Sequence, residues 1–489
     1  MTQPQPHLDP VEPHLFVIFG ATGNLTGRKL IPSIFRVLTE YGVAAAHNLL
    51  GVSRTEWSDE DFRKFTNESL HNAGYDGALV EEWCEQRVFY QPTPRGTTDL
   101  EALKKRIEQI EAELDLPGNR VFYLALPPGA FGPTIKQLGE AGLGDGPGWT
   151  RLVVEKPFGH DLATAHELNA QIHEYFDERQ VYRIDHYLGK ETVQNLLAFR
   201  FANLLFESAW NRDRVEAIEI TVAESLGTEG RAGYYDNSGV VRDMVQNHIA
   251  QLISLITMEA PNAFEADAIR SEKVDVLKAI EPISVERVVY GQYAAGRVDG
   301  EAVPGYLEDS DVADDSTTAT FVAMRLAIGN WRWQGVPVFV RTGKRLPAKT
   351  TQIAVVFQRP PVCLFHGVRD NCEAHQNVVI LTLQPNEGFE VRFDVKAPGS
   401  PLHLESQPLH FDYEEAFKVL PDAYQTLILD VMEGDQTLFV RSDEVETSWE
   451  LFTPLLEADI PVHPYAAGSW GPDVVTEQLE MPGEWVMRE

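Results

Sequence analysis

LFVIFGATGNLTG, from Leu15 to Gly27, is the stretch that decides how the chain folds. Leu15 to Phe19 is an unbroken apolar run of strand length, Gly20, Gly23 and Gly27 follow at once, and an amphipathic helical pattern takes over around Leu30 to Leu38. Five apolar residues without alternation predict a strand buried on both faces, as in a parallel sheet covered by helices. The small residues of the turn let backbone approach a pyrophosphate at the helix N-terminus. A second apolar strand, Leu49 to Ser53, completes a βαβ opening. The GxxGxxxG spacing departs from GxGxxG, so a tight βα turn without a ligand stays open as the alternative.

Further apolar runs, Val121 to Leu126 and Leu152 to Val154, alternate with helical patterns such as Asp99 to Leu114, which extends the parallel sheet. Past about residue 184 the texture changes. Long alternating segments, Val215 to Val222, Thr317 to Ile328, Gln352 to Phe357, Val378 to Leu383 and Phe389 to Val395, predict a large, mainly antiparallel sheet. Helical patterns at Val240 to Met258 and Ala423 to Met432 interrupt it, so this part is α+β. The expected fold class is therefore α/β plus α+β: a Rossmann-type dinucleotide-binding domain over residues 1–184, then an α+β substrate-binding and oligomerisation domain over residues 185–489. Residues 1–13, MTQPQPHLDPVEP, read as a loose tail, and Gly300 to Asp315 as an acidic surface loop.

A chain of 489 residues is long enough for two cores. Its 41 basic and 74 acidic residues give a net charge of −33, a field that repels nucleic acid and anionic lipid. Local basic clusters are informative against that background. Three cysteines, Cys84, Cys363 and Cys372, without CxxC spacing, argue against a disulfide framework or a zinc site and fit a reducing cytoplasm. No apolar run approaches the roughly 18 residues of a membrane span.

Several positions carry chemistry. Arg54 follows the second strand, where a carboxylate would select a ribose 2′-hydroxyl; a guanidinium there favours a 2′-phosphate, or is simply solvated. Lys29 either holds phosphates or is solvated. Arg183 to Lys190, RIDHYLGK, packs Arg183, Asp185, His186, Tyr187 and Lys190 into eight residues, enough to bind a phosphate and orient a base, or to cap a helix around a core histidine. Glu155-Lys156-Pro157-Phe158-Gly159 closes a strand at the end where ligands sit, which places Lys156 near a substrate oxygen or on a plain turn. His248 shares an apolar stripe with Val241, Met244, Val245 and Leu252, and Asp243 lies about 140° from it round an ideal helix. Arg341, Lys344, Arg345 and Lys349 crowd nine residues without an acid, an anion-facing patch or a solvated loop.

GATGNLTGRKL, EKPFG, RIDHYLGKE, ESLGTEGRAGYYDNSGVVRDMVQNH, RTGKRLP and GDQTLFVRSDEVETSW together resemble the glucose-6-phosphate dehydrogenase family, from about residue 14 almost to the C-terminus. The resemblance implies oxidation of the C1 hydroxyl of glucose 6-phosphate to 6-phosphogluconolactone with NADP, the first oxidative step of the pentose phosphate pathway, by a cytoplasmic homodimer or homotetramer without a metal. It places the general base on His248 and its orienting carboxylate on Asp185. Substrate contacts fall on Lys156, His186, Tyr187, Lys190, Glu224, Asp243, Lys344 and Lys349. Cofactor contacts fall on Gly20, Thr22, Gly23, Asn24, Leu25, Lys29, Arg54 and Lys156. Two positions depart from the pattern. Asn24 stands where Asp is common, and Thr382 stands where animal members, which carry a second structural NADP, have a basic residue; one cofactor site per subunit is expected. The rival readings are a dehydrogenase of unphosphorylated sugars that shares the Glu-Lys-Pro turn, and a catalytically silent NADP-binding sensor.

Overall fold

The computed structural model describes residues 11–40, 47–93, 100–362, 374–399, 403–417 and 421–488. Residues 1–10 of the expected tail, Cys363 and Cys372 lie outside them. The chain forms two compact units that are not consecutive pieces: the first gathers Met1–Lys190, Ala263–Arg270 and Pro421–Glu446, the second Glu191–Asn262, Ser271–Leu420 and Thr447–Glu489.

In the first unit, β1 (His14–Phe19), β2 (His47–Ser53), β3 (Val88–Pro92), β4 (Arg120–Leu124), β5 (Thr150–Glu155) and β6 (Val181–Ile184) form a wholly parallel sheet in the order β3-β2-β1-β4-β5-β6. That is the doubly wound dinucleotide-binding order. Every residue of β1 is buried, as an uninterrupted apolar run requires of a strand covered on both faces. Residues 11–13 are not loose: Val11 is buried, and Glu12 accepts a hydrogen bond from Trp149 Nε1 at 2.6 Å.

At the N-terminal end of this sheet two histidines are buried together. His14 Nδ1 donates to the Glu12 carbonyl at 2.9 Å, and with that ring neutral its Nε2 accepts from His47 Nδ1 at 3.3 Å. Burial pushes the His14 imidazole down to about 4; the bond to Glu12 opposes the shift and the Arg151 charge adds to it. Since an unfolded histidine titrates near 6.5, the stability this neutral ring confers is present above about pH 6.5 and lost as pH falls towards 4. At pH 5 the loss from His14 alone is about 2 kcal/mol. Hydrogen exchange of β1 and β2 amides is expected to accelerate accordingly between pH 7.5 and 5 after correction for intrinsic rates, and His14→Gln is expected to flatten that dependence; an unchanged slope would remove His14 as its cause.

In the second unit, β7 (Val215–Ala223), β8 (Val288–Ala294), β9 (Gly296–Val298), β10 (Glu301–Val303), β11 (Phe321–Ala327), β12 (Pro337–Gly343), β13 (Thr350–Phe357), β14 (Val378–Gln384), β15 (Gly388–Lys396), β16 (Leu404–Asp412) and β17 (Val462–Ala466) appear in chain order. Nine form one sheet, β16-β15-β14-β13-β7-β12-β11-β8-β17, antiparallel except for β7 with β12 and β8 with β17; β9 and β10 pair separately. The parallel central pair matters for the site. Ala223 lies opposite Gly343, so the next residues, Glu224 and Lys344, leave adjacent strands at the same end.

A helical segment on this unit begins as a π-helix, Val241–Ile249, and continues as an α-helix, Ala250–Thr257. Its last carbonyls, orphaned in any helix, are taken by side chains. Arg200 donates to Leu255 O at 2.9 Å and Met258 O at 2.8 Å, Trp210 Nε1 to Ile256 O at 2.9 Å, and Trp333 Nε1 to Thr257 O at 2.6 Å. Three large, fully buried side chains thus fix this helix end.

Candidate active site

In the first unit the glycine turn is built for close approach. Gly20 has φ +83°, and an added Cβ would sit 2.1 Å from Ala125 O, so only glycine fits between β1 and β4. Gly23 N bonds back to Gly20 O at 2.9 Å, and the helix starts at Asn24, running through a π turn, Thr26–Leu30, into an α-helix, Ile31–Glu40. The first amides of this helix, at Asn24 and Leu25, have no acceptor within it, as a pyrophosphate site needs. Beside the turn lies a groove of about 620 Å³ lined by Thr22, Gly23, Asn24, Gly27, Arg28, Phe65, Ser69, Asn72 and Ala73. Thr22 Oγ1 lies 3.1 Å from Ser53 Oγ and 3.2 Å from Thr55 Oγ1, and between those two hydroxyls Arg54 stands exposed at the end of β2. These residues fit a dinucleotide. Lys29, in contrast, is neither free nor simply solvated: it pairs with Asp422 at 2.6 Å.

The segment RIDHYLGK divides. Arg183 belongs to β6 and is fully buried, donating to Glu178 at 2.7 Å and Asn169 at 3.0 Å, so it is a structural residue and not a phosphate ligand. Asp185 is buried, and its Oδ1 accepts from Tyr187 N at 3.0 Å, which folds the loop back on itself. His186 meets Tyr187 edge to face, with ring centroids 5.2 Å apart, and Lys190 Nζ lies 4.4 Å above the Tyr187 ring. His186, Tyr187 and Lys190 are therefore gathered into one cluster. Lys156 stands at the end of β5, partly exposed, and its bond to Pro157 is cis.

In the second unit the ends of β7 and β12 bring three expected residues together. Lys344 Nζ lies 2.6 Å from Glu224 Oε2 and 3.3 Å from Asp243 Oδ2, and 4.9 Å from the centroid of the Tyr235 ring. Burial lowers the Lys344 ammonium, but Glu224 and Asp243 outweigh it and hold its pKa above the ordinary value. An ammonium flanked by two carboxylates offers donors and acceptors to a polyhydroxy ligand. His248 is buried on the same helical segment. The π geometry corrects the phase expected of an α-helix: at about 4.4 residues per turn, positions five apart are separated by about 50° rather than 140°. Asp243 and His248 thus share a face of the helix.

The four cations of residues 341–349 do not form one anion-facing patch. Arg341 is buried with its guanidinium 4.4 Å from the ring centroids of both Trp470 and Trp485, and Arg345 pairs with Glu229 at 3.3 Å. Lys349 lines another cavity of the second unit, of about 660 Å³, with Thr382, Glu387, Asp412 and Arg488. Sequence reasoning passed over Arg28, Tyr123, Asp422 and Tyr424; the only local signal was Asp422 ahead of Ala423, a helix-capping residue whose carboxylate accepts from Tyr424 N at 3.0 Å.

A parallel sheet in this order with a glycine turn, joined to a unit with a large mixed sheet, defines a nicotinamide-dinucleotide oxidoreductase. The family model for the glucose-6-phosphate dehydrogenase NAD binding domain matches residues 17–195, and that for the glucose-6-phosphate dehydrogenase C-terminal domain matches residues 197–486. The chain belongs to the glucose-6-phosphate dehydrogenase family. It is 43% identical to glucose-6-phosphate 1-dehydrogenase of Aggregatibacter actinomycetemcomitans over 96% of both chains, and 42% identical to that of Bacillus subtilis over 96% of this chain and 97% of the relative. A solved glucose-6-phosphate dehydrogenase in complex with glucose 6-phosphate superposes with a TM-score of 0.89 at 38% identity, covering 98% of this chain and 99% of that one. The enzyme from Mycobacterium avium gives a TM-score of 0.84 at 33% identity, with the same coverage.

Proposed function

We propose that this chain oxidises the C1 hydroxyl of glucose 6-phosphate to 6-phosphoglucono-1,5-lactone with NADP, the first oxidative step of the pentose phosphate pathway. The observation that carries the reading is the gathering of His186, Tyr187 and Lys190 on one loop: a chain of net charge −33 binds a phosphate only where donors are collected against its field. A dehydrogenase of free sugars has no use for that cluster.

His248 takes the proton of the C1 hydroxyl, with Asp185 as the carboxylate that orients and charge-stabilises the imidazole. Glu224, Asp243 and Lys344 hold the sugar hydroxyls, and Lys156 stands between sugar and cofactor. Lys349 is a further substrate contact. Bound NADP supplies the acceptor for the hydride that leaves C1. Gly20, Thr22, Gly23, Asn24 and Leu25 hold its pyrophosphate, and Arg54 holds its 2′-phosphate; Lys29, its ammonium tied to Asp422, is the remaining cofactor contact. A base and a hydride acceptor complete the chemistry without a metal. One cofactor binds per subunit: Thr382 brings no charge to its cavity, where the carboxylates of Glu387, Asp412, Glu414 and Glu415 outnumber the cations of Lys349 and Arg488 and disfavour a second phosphate. The enzyme works as a homodimer or homotetramer in the cytoplasm, consistent with its three cysteines; no helix among the described residues is long and apolar enough to cross a membrane.

The test is nicotinamide reduction with glucose 6-phosphate and with free glucose, using each cofactor in turn. A strong preference for the phosphorylated sugar is expected; equal kcat/KM for the two would favour the free-sugar dehydrogenases. Binding of cofactor without any turnover would favour the sensor. Arg54→Ala is expected to raise the KM for NADP about tenfold or more while changing that for NAD less than threefold, because it removes a charge-assisted hydrogen bond to the 2′-phosphate alone. Equal effects on both cofactors would break that assignment.

A further inference from the structure

The EKPFG turn contains a carboxylate to which the reaction gives no role. Glu155 ends β5, and its Oε1 accepts from the phenol of Tyr123, on β4, at 2.6 Å. A second phenol, Tyr424, also donates to it. Burial raises the Glu155 carboxyl; the two phenols and the Lys156 ammonium oppose that shift, and the Asp185 carboxylate adds to it. A carboxylate held this close to Asp185 repels an incoming phosphate, so its place needs a reason other than ligand contact.

Tyr424 supplies the reason. It enters the first unit on the segment Pro421–Glu446 and stands at the start of the helix Ala423–Glu433, where Asp422 caps its amide at 3.0 Å and reaches Lys29 at 2.6 Å. Its ring is parallel to the His186 imidazole, at 4° and 6.3 Å between centroids. The other end of the loop rests on the same segment: a Cβ added to Gly189 would lie 2.4 Å from Ala423 O. The substrate-phosphate loop is therefore seated at both ends on residues 422–424, and the hydroxyl that fixes the Tyr424 ring is bonded to Glu155.

We propose that Glu155 and Tyr424 are positioning residues for substrate phosphate, Glu155 fixing the Tyr424 ring and the ring fixing His186, so that the loop is ordered before the ligand arrives. This rests on the reading of His186, Tyr187 and Lys190 as the phosphate site. Neither residue touches the substrate. Preorganisation of this kind acts on affinity for the phosphorylated group and leaves the chemistry at C1 alone.

Tyr424→Phe removes the hydroxyl and keeps the ring, and Glu155→Gln keeps the shape and removes the charge. Both are expected to raise the KM for glucose 6-phosphate and the inhibition constant of inorganic phosphate in parallel, by about tenfold for a bond of this type. For Tyr424→Phe, which alters no charge, the value of kcat, the KM for free glucose and the KM for NADP are expected to change less than threefold. Tyr424→Ala, which also loses the ring, is expected to exceed both. A fold staple would instead lower the thermal midpoint and leave the phosphate constants unchanged, or shift every constant alike, and either result overturns the proposal. Calorimetric titration of the wild type and Tyr424→Phe with inorganic phosphate needs no turnover. If the wild type did not oxidise glucose 6-phosphate the functional reading would fail, while this titration would still decide the positioning role: weaker phosphate binding supports it and equal binding refutes it.

Discussion

His248→Asn is expected to lower kcat by about a thousandfold or more while glucose 6-phosphate still binds, because the substitution removes the proposed proton acceptor and leaves the side chains proposed to bind phosphate intact. The second unit and the choice of asparagine together make the experiment clean. His248 is buried on a π-helical segment whose continuation is pinned at its far end by Arg200, Trp210 and Trp333, so a side chain of similar size has little reason to move the backbone. Asparagine also retains hydrogen-bonding capacity at a buried position, so the cost of an orphaned polar neighbour is limited. The signature is a split: kcat and kcat/KM fall together and the dissociation constant holds, the pattern of an interaction made only in the transition state. Near-normal turnover would remove His248 as the base.

Lys190→Ala is expected to raise the KM for glucose 6-phosphate about a hundredfold, the order set by removing a charge-assisted hydrogen bond of about 2–3 kcal/mol. The effect should be confined to the phosphorylated substrate. Lys190 stands over the Tyr187 ring, in the cluster of the first unit proposed to hold the substrate phosphate, whereas the carboxylates proposed to hold the sugar, Glu224 and Asp243, belong to the second unit. Kinetics on free glucose, which has no phosphate to lose, should therefore be nearly unchanged. A comparable loss on both sugars would mean that Lys190 supports the loop and not the ligand. Added salt is expected to change the size of the defect little, because an ammonium–phosphate hydrogen bond acts well inside the screening length.

The parts of this molecule that were legible in the sequence are those whose causes are local. An apolar run without alternation reads as β1 because burial on both faces demands it, and the glycine turn directly after it reads as a βα turn; that Gly20 also packs against Ala125 shows only in the fold. The long alternating segments announced the second sheet because a two-residue period follows directly from the pleat. What the sequence hid depends on partners far along the chain or on a change of helical pitch. Nothing near Lys29 announces Asp422, and nothing in EKPFG announces Tyr424, since both partners come from a segment that joins the first unit more than 200 residues after Lys190. Residues 341–349 look like one basic patch only along the chain; in the fold Arg341 is buried against two tryptophans and Lys344 meets two carboxylates. The phase of Asp243 and His248 was unreadable because α-helical spacing is the default, and π turns have no comparably simple sequence code.

The most direct test of the central claim uses glucose 6-phosphate carrying deuterium at C1, incubated with the protein and oxidised NADP. The reduced cofactor is expected to carry that deuterium on its nicotinamide ring in step with formation of the lactone, and turnover is expected to slow relative to unlabelled sugar wherever C–H cleavage limits the rate. Reduced cofactor without deuterium, or no reduction with this substrate, would contradict it.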